Sequence, residues 1–203
     1  MHPKKEKTFV IFKPDSVQRG LIGEIIHRFE RVGLKIVAMK MVLATEDQCW
    51  QHYNKDEAWY IKTGNRIIEN RKAQNKPIEK EAVEYGKDVV KGLVKYMTCS
   101  PVVVMILEGN SSRAVVKRLV GGTEPITADT GTIRGDLTLD SYYLCDADDG
   151  RAVRNLIHCT DPADGEGEAE REISVWFKKE EIVKWISINE KMLYDVDLDG
   201  HLE

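Results

Sequence analysis

A histidine at the end of a short apolar run is the residue in this sequence best suited to covalent chemistry. His158 follows residues 155–157 and precedes a loop of small residues that carries Asp161. This pattern predicts a short strand that delivers an imidazole into a site. Lys13 ends another strand-like run far upstream, and strand ends that meet at one place are where α/β proteins build sites. A histidine in this setting is more often structural, so the assignment depends on other residues.

The bulk composition is that of an ordinary globular protein. The chain has 203 residues, of which 42% are hydrophobic and 32% are charged. This length favours one domain over two. The net charge of −4 argues against a protein that binds nucleic acid by neutralising phosphates, although a local basic pocket remains compatible with it.

The cysteines and the N-terminal residues predict a cytoplasmic protein. The four cysteines form no CxxC pair, so a zinc site is not expected, and their scatter fits a reducing compartment. The first seven residues lack the apolar core of a signal peptide, and no apolar run approaches the length of a membrane span.

Clear local signals mark the elements in the first part of the chain. Residues 8–13 predict an apolar strand, and residues 21–32 predict a helix because their apolar side chains recur on one helical face. Residues 34–43 are apolar on both faces, which predicts a buried second strand. Thr45 with Gln48 has the pattern of a capping box and predicts a short helix after it.

Charged and apolar segments alternate along the rest of the chain. Residues 54–88 are rich in Lys, Glu and Asn, which predicts a helical surface insertion with a break at Asn75-Lys76-Pro77. The other predicted elements are helices at 91–97, 113–120, 168–177 and 178–185, strands at 102–107 and 155–158, an irregular loop at 123–136, a partly helical second insertion at 138–153, and a frayed acidic tail at 189–203. This order predicts one domain over residues 1–203 in the α/β class, a ferredoxin-like sandwich in which split βαβ units place helices on an antiparallel sheet.

A phosphohistidine mechanism would use several of these residues together. The nucleophile must be a neutral imidazole with one free ring nitrogen, and a carboxylate must hold the other nitrogen. Either Asp161 or Glu172 could be that carboxylate. Cations must balance the charge of the transferred phosphoryl group. The candidate cations are Lys13, Arg134, Lys117 and Arg118.

Several motifs in order resemble the nucleoside diphosphate kinase family. They cover residues 8–53, 89–136 and 154–188, most of the chain. The matching segments are Thr8-Phe9-Val10-Ile11-Phe12-Lys13-Pro14-Asp15, Gln18-Arg19-Gly20-Leu21-Ile22-Gly23, Gly92-Leu93-Val94-Lys95-Tyr96-Met97, Gly131-Thr132-Ile133-Arg134-Gly135-Asp136, Asn155-Leu156-Ile157-His158 and Glu172-Ile173-Ser174-Val175-Trp176-Phe177. Several motifs in the right order are far more specific than any one alone.

The resemblance implies a catalytic role for His158, Glu172 and Lys13, and a nucleotide-binding role for Tyr53. His158 would accept the γ-phosphate of a nucleoside triphosphate and pass it to a nucleoside diphosphate in ping-pong order. Glu172 would orient the imidazole. Lys13 would bind phosphate and the ribose hydroxyl, and Tyr53 would line the phosphate side and help to place the lysine.

The resemblance also implies a nucleotide-binding site. Thr123 and Arg134 would grip the phosphates, Asn155 would bind the ribose 3′-hydroxyl, and Asp161 would support a Mg²⁺ that arrives with the nucleotide. Two simpler roles compete with these: Arg134 could pair with Asp136, and Asp161 could cap the following turn.

The sequence departs from the family pattern at the phosphate and base positions. The family's phosphate-binding arginine falls on Lys117, with Arg118 next to it, and lysine lacks the bidentate fork of arginine. The aromatic residue that stacks on the base falls on Val89 or Val90. We therefore expect weak base discrimination, about 1–3 kcal/mol at most.

The sequence thus predicts a nucleoside-diphosphate kinase, a homo-oligomer that is either a hexamer or a tetramer. Its substrates would be nucleoside triphosphates and diphosphates. Two alternatives remain open at this point: a nucleotide-binding interaction protein that has lost turnover, and a nucleic-acid binder, which the negative charge disfavours.

Overall fold

The computed structural model describes residues 5–147 and 151–194. Its strands are β1 (Glu6–Phe12), β2 (Lys35–Val42), β3 (Val102–Gly109) and β4 (Ile157–Cys159). Its α-helices are α1 (Pro14–Gln18), α2 (Ile22–Glu30), α3 (Glu46–His52), α4 (Glu57–Ala73), α5 (Ala82–Met97), α6 (Ser112–Val120), α7 (Ile133–Leu137), α8 (Tyr142–Ala147), α9 (Glu168–Trp176) and α10 (Ile188–Tyr194).

The four strands form one antiparallel sheet in the order β2-β3-β1-β4. β1 lies inside the sheet, and its register pairs Ile11 with Val104 of β3 on one side and with His158 of β4 on the other. Because neighbouring strands run in opposite directions, the start of β4 lies beside the end of β1. Lys13 follows directly after β1, so the topology brings Lys13 and His158 to the same part of the sheet.

Helices cover both faces of the sheet and bury two apolar clusters. Along β1, Phe9 and Ile11 face one cluster, whereas Val10 and Phe12 face the other, as expected from the two-residue period of a strand. Helices α3, α5 and α9 contribute to the first cluster, and α2 and α6 contribute to the second. The predicted ferredoxin-like α/β sandwich is therefore confirmed.

Two local predictions agree closely with the structure. The amphipathic pattern at residues 21–32 forms α2, which buries Ile25 and Phe29 against the sheet. The capping box opens α3: the Thr45 side chain accepts a hydrogen bond from the backbone of Gln48, and the Gln48 side chain accepts one from the backbone of Thr45.

The prediction that residues 34–43 form a strand buried on both faces was wrong. β2 is an edge strand, and Met39 and Met41 are 51% and 58% exposed. Apolar residues on both faces therefore marked a surface that the described residues leave partly exposed.

The C-terminal segment also differs from its prediction. Residues 178–185 do not form an α-helix; they contain one 3-10 turn and then run extended, and the Val183 amide donates to the Val37 carbonyl at 2.8 Å. The tail predicted to be frayed from residue 189 instead begins with α10, which Glu190 anchors to the buried Lys35. The rest of that tail, residues 195–203, lies outside the described residues.

The two insertions pack against each other. Residues 54–88 form α4 and the first turns of α5, an antiparallel helical hairpin whose connection contains the predicted break. The second insertion contains α8, which contacts α4: the Arg66 guanidinium lies 3.8 Å from the centre of the Tyr142 ring, and the Asn70 amide donates to Asp146 at 2.7 Å. Residues 148–150 of that insertion are outside the described residues.

None of the helices in residues 5–147 and 151–194 has the length and apolarity needed to cross a membrane. The four cysteines are all free thiols, and Cys99 is the exposed one.

Candidate active site

His158 is presented by a strained turn at the start of β4. Leu156, the residue two positions earlier, has a left-handed φ of 64°, and the Ile157 amide donates to the Asn155 carbonyl at 2.7 Å. This is a γ-turn, a conformation that costs about 1–3 kcal/mol for a residue other than glycine. The turn is held from the start of α1, because the Leu156 amide donates to the Asp15 carboxylate at 3.0 Å.

Glu172 holds the His158 ring from the neighbouring helix α9. Its Oε1 lies 2.7 Å from His158 Nε2, and its Oε2 accepts a hydrogen bond from the Thr160 hydroxyl at 2.5 Å. The glutamate side chain is only 3% exposed, whereas that of His158 is 22% exposed. Since a carboxylate accepts hydrogen bonds, Nε2 carries the proton and Nδ1 keeps its lone pair. Of the two candidate carboxylates, Glu172 rather than Asp161 orients the imidazole.

The same contacts keep Glu172 ionised. Burial alone would raise the pKa of Glu172, but the proximity of His158 and its hydrogen bond, together with His52 and Thr160, lower that pKa to about 2. A buried carboxylate is stable as an anion only when it is paired and hydrogen-bonded, as it is here.

His52, at the end of α3, is a site residue that the sequence did not indicate. Its ring packs edge-on against His158 with ring centres 4.4 Å apart, and its Nδ1 lies 3.8 Å from Glu172 Oε1. The Trp176 indole donates to the same Nδ1 at 3.4 Å. Burial, followed by the proximity of His158, lowers the pKa of His52 well below its usual range. His52 is therefore uncharged, and its ring limits rotation of the His158 ring by packing against it.

Lys13 and Asn155 meet beside the histidine. The Lys13 ammonium donates to Asn155 Oδ1 at 2.7 Å, and Asn155 Nδ2 donates to the Thr123 carbonyl at 3.0 Å. Burial, reinforced by the charge of Arg134, lowers the pKa of Lys13 to about 8. The structure thus brings three of the predicted nucleotide-binding residues into one hydrogen-bonded chain.

Arg134 lies next to Asn155 and is 4% exposed. We call the region around Lys13, Asn155, Thr123 and Arg134 the pocket. Its guanidinium donates to the carbonyls of Gly121, Gly122, Asn155 and Ile157 at 2.6–3.1 Å. The alternative pairing with Asp136 is not seen, because Asp136 instead pairs with Arg28 at 2.7 Å.

Lys117 and Asp161 form an ion pair at the opening of the pocket. The Lys117 ammonium lies 2.6 Å from Asp161 Oδ2, and both side chains are about one-third exposed. Arg118 lies on the exposed side of α6. Asp161 also caps the following turn through the Ala163 amide at 3.0 Å, so the simpler role proposed for it is present as well.

Tyr53 and the two valines lie on the helical side of the site. Tyr53 packs against the His52 ring with ring centres 4.7 Å apart, and its buried hydroxyl has no hydrogen-bond partner among the described residues. Lys13 is joined to Asn155 rather than to Tyr53. Val90 is fully buried in the core, so only Val89, which is partly exposed, could contact a base.

Comparison with known proteins identifies the family. The profile described as nucleoside diphosphate kinase matches residues 6–63 and 59–182. The chain belongs to the nucleoside diphosphate kinase family. A nucleoside diphosphate kinase of Pyrobaculum aerophilum is 46% identical over 186 residues, covering 88% of this chain and 98% of the relative. Membership confirms the predicted enzyme class, a nucleoside-diphosphate kinase.

Solved structures of nucleoside diphosphate kinases have the same fold. An NDP kinase from Pyrobaculum aerophilum superposes with a TM-score of 0.82 at 43% identity, covering 89% of this chain and all of that one. A transition-state mimic of the Borrelia burgdorferi enzyme with bound vanadate and ADP superposes with a TM-score of 0.73 at 36% identity, covering 93% and 96%. A Halobacterium salinarum enzyme in complex with CDP gives 0.68 at 34% identity, covering 94% and 99%.

One group of side chains in the described part of this kinase could hold a metal ion. Potential ligand atoms of His52, His158 and Glu172 lie within 4.8 Å of one another. Two imidazoles and a carboxylate suit zinc-like ions, whereas Mg²⁺ prefers oxygen ligands. This group of side chains therefore does not suit Mg²⁺.

Proposed function

We propose that this kinase transfers the γ-phosphate of a nucleoside triphosphate to a nucleoside diphosphate through a phosphorylated His158. The observation that carries the proposal is the contact between His158 Nε2 and Glu172, which leaves Nδ1 with its lone pair on a partly exposed ring. A nucleophile held by an adjacent carboxylate is the arrangement that covalent catalysis requires.

In the first step, His158 Nδ1 attacks the γ-phosphorus of the triphosphate. The bond between that phosphorus and the β–γ bridging oxygen breaks, and the nucleoside diphosphate leaves with the electron pair. The ring gains positive character as the new nitrogen–phosphorus bond forms. The anionic Glu172 stabilises that charge across the Nε2–H hydrogen bond. A second nucleoside diphosphate then takes the phosphoryl group by the reverse sequence.

The cations beside His158 would bind the phosphates. Lys13 and Arg134 are buried, and the hydrogen bonds they make with the described residues go to neutral oxygens, so their charge is left for an anionic ligand. Lys117 would add a third charge after releasing Asp161. Thr123 lies beside these cations and would bind the same phosphates.

The remaining groups would contact the ribose and the phosphate oxygens. Asn155 would bind the 3′-hydroxyl through its side-chain amide. That contact would replace one of the hydrogen bonds that the amide makes with Lys13 and Thr123. The Tyr53 hydroxyl, which has no hydrogen-bond partner within residues 5–147 and 151–194, is a buried donor that a polar ligand group would satisfy.

The residues at the pocket opening fit a Mg²⁺ that is brought by the nucleotide. Asp161 offers one partly exposed carboxylate, and Mg²⁺ commonly takes one or two carboxylates together with substrate phosphates and water. When bound, the ion would neutralise negative charge on the phosphates.

We also propose a homo-oligomer, hexamer or tetramer, working in the cytoplasm. The described residues leave Met39, Met41 and Leu43 around β2 each more than half exposed, which supports association. The four free thiols fit a reducing compartment. Broad use of nucleotides would follow from Val89 being the only predicted base contact that is not buried.

The test is phosphate transfer from γ-labelled ATP, measured with the wild type and with His158→Ala. Wild type should carry an acid-labile, alkali-stable label and pass it to each nucleoside diphosphate. The variant should take up no label yet bind ADP about as tightly. Turnover in the variant would refute the mechanism, and nucleotide binding by an unlabelled wild type would indicate a binding protein instead.

A further inference from the structure

Two separate segments, one around Thr123 and one around Asn155, form the walls of the proposed nucleotide pocket. One hydrogen bond joins them directly, and the Arg134 guanidinium donates to carbonyls of both. Asn155 Nδ2 donates to the carbonyl of Thr123, and Asn155 Oδ1 accepts from Lys13. The second insertion, residues 138–153, precedes the Asn155 wall directly along the chain. No step of the mechanism uses that insertion, so its contacts with the two walls indicate what it does.

The first of these contacts is made by a buried carboxylate. Asp140, which is 9% exposed, accepts a hydrogen bond from the Arg154 backbone amide at 2.7 Å and another from the Ser141 amide at 3.0 Å. The Arg151 guanidinium binds both carboxylate oxygens at 2.6 and 2.8 Å. Bidentate pairs of this kind fix geometry as well as charge. Because Arg154 is the residue before Asn155, this carboxylate fixes the backbone of the Asn155 wall.

The same stretch of the insertion also holds the opposite wall. The Asp140 carbonyl accepts a hydrogen bond from the Ile126 amide at 3.1 Å, and the Tyr142 amide donates to the Glu124 carboxylate at 2.7 Å. Glu124 is adjacent to Thr123. Within residues 140–142, Asp140 and Tyr142 therefore bind the two walls at positions one to three residues from Asn155 or Thr123.

We propose that residues 140–142 form a clamp that sets the separation of the two pocket walls, with Asp140 as a positioning residue for Asn155. The clamp acts on recognition of the ribose 3′-hydroxyl, because Asn155 is the group assigned to that hydroxyl. This inference rests on the proposed function. The second insertion is thus part of the specificity apparatus for the sugar, although none of its residues needs to touch the nucleotide.

The test compares ADP with 3′-deoxy-ADP as acceptors for the phosphorylated enzyme. In Asp140→Asn, kcat/KM for ADP should fall roughly tenfold or more, because a hydrogen-bonded charge is removed. The value for 3′-deoxy-ADP should fall clearly less, so the preference for the hydroxyl shrinks. Glu124→Ala releases the other end of the clamp and should shrink the preference in the same way, and it serves if Asp140→Asn does not fold.

The matched control is Asn70→Ala, which removes the bond between α4 and Asp146 of the same insertion and leaves the clamp intact. It should keep the wild-type preference even where its melting temperature falls. An equal loss with both acceptors in Asp140→Asn and Glu124→Ala would overturn the clamp. A wild type that transfers phosphate without preferring ADP would instead refute the role of Asn155, and one that transfers none would refute the proposed function.

Discussion

The contact between Glu172 and His158 makes the most direct prediction about catalysis. In Glu172→Gln the side chain keeps its shape but loses its charge. If the amide oxygen faces Nε2, a charge-assisted hydrogen bond of 2.7 Å becomes a neutral one. If the amide nitrogen faces Nε2, it donates there, the ring proton moves to Nδ1, and the nucleophilic lone pair is lost.

The size of the effect follows from the energy of that contact. Hydrogen bonds to charged groups contribute about 1.5–3 kcal/mol, and each 1.4 kcal/mol changes a rate roughly tenfold. Because a neutral hydrogen bond of about 0.5–1.5 kcal/mol remains, the loss is about 1–1.5 kcal/mol. We therefore expect the rate of His158 phosphorylation to fall roughly 5- to 10-fold, and further where the ring proton moves to Nδ1. The affinity for ADP should change little, because Glu172 lies behind the ring, at 3% exposure.

The measurement is a rapid-quench time course of label transfer from γ-labelled ATP to the protein. Glu170→Gln is the matched control, because Glu170 lies on the same helix with its side chain exposed, and it should leave the rate unchanged. A loss of less than about threefold in Glu172→Gln would show that the carboxylate contributes no more than a neutral hydrogen bond.

Three further predictions concern the pocket and the fold. Since the pKa of Lys13 is lowered to about 8, the lysine loses its charge above that pH, and ADP affinity should weaken about tenfold per pH unit there. In a calorimetric titration, Lys13→Met should abolish this pH dependence. Gly121→Ala should destabilise the protein and weaken ADP binding, because the φ of Gly121 is 85° and a Cβ there would lie 2.4 Å from the Thr132 hydroxyl. The control is Gly23→Ala, whose Cβ would meet nothing within 4 Å, and it should be tolerated in the same melting assay. Thr45→Ala removes one half of a capping box and should lower stability by about 0.5–2 kcal/mol without changing turnover, and an unchanged melting temperature would contradict the capping role.

Elements governed by short-range signals could be predicted from the sequence. The helical period of α2 and the capping box of α3 each depend on residues three or four positions apart, and both are present as expected. The prediction of a helix at residues 178–185 was wrong because a long-range contact decides their structure. Their pattern suits a helix, but their backbone lies along the edge strand β2, where Val183 meets Val37 from 146 positions away in the chain. A tertiary contact of that range overrides local propensity.

The same distinction explains which site residues could be found. His158, Glu172 and Lys13 lie in recognisable motifs, so their approach to one another could be expected. His52 lies 106 positions before His158. The sequence analysis placed its neighbour Tyr53 in the site instead. The available signal was a polar residue in the last turn of a predicted helix, but that signal does not distinguish a ring packed on the nucleophile from one facing solvent.

The charges of the pocket explain why it should select a phosphate over other ligands. Arg134 is buried among four backbone carbonyls, and Lys13 is buried against an amide oxygen. Neutral dipoles satisfy the hydrogen-bonding groups of these cations, but burying their charge still costs free energy. Burial therefore lowers the pKa values of both side chains, although the charge of Asp15 opposes that shift. An anion that binds next to these cations offsets that free-energy cost. The site is therefore held in a state that a polyphosphate stabilises, and the one carboxylate that contacts the nucleophile lies behind the imidazole, where it supports the attack without repelling the substrate.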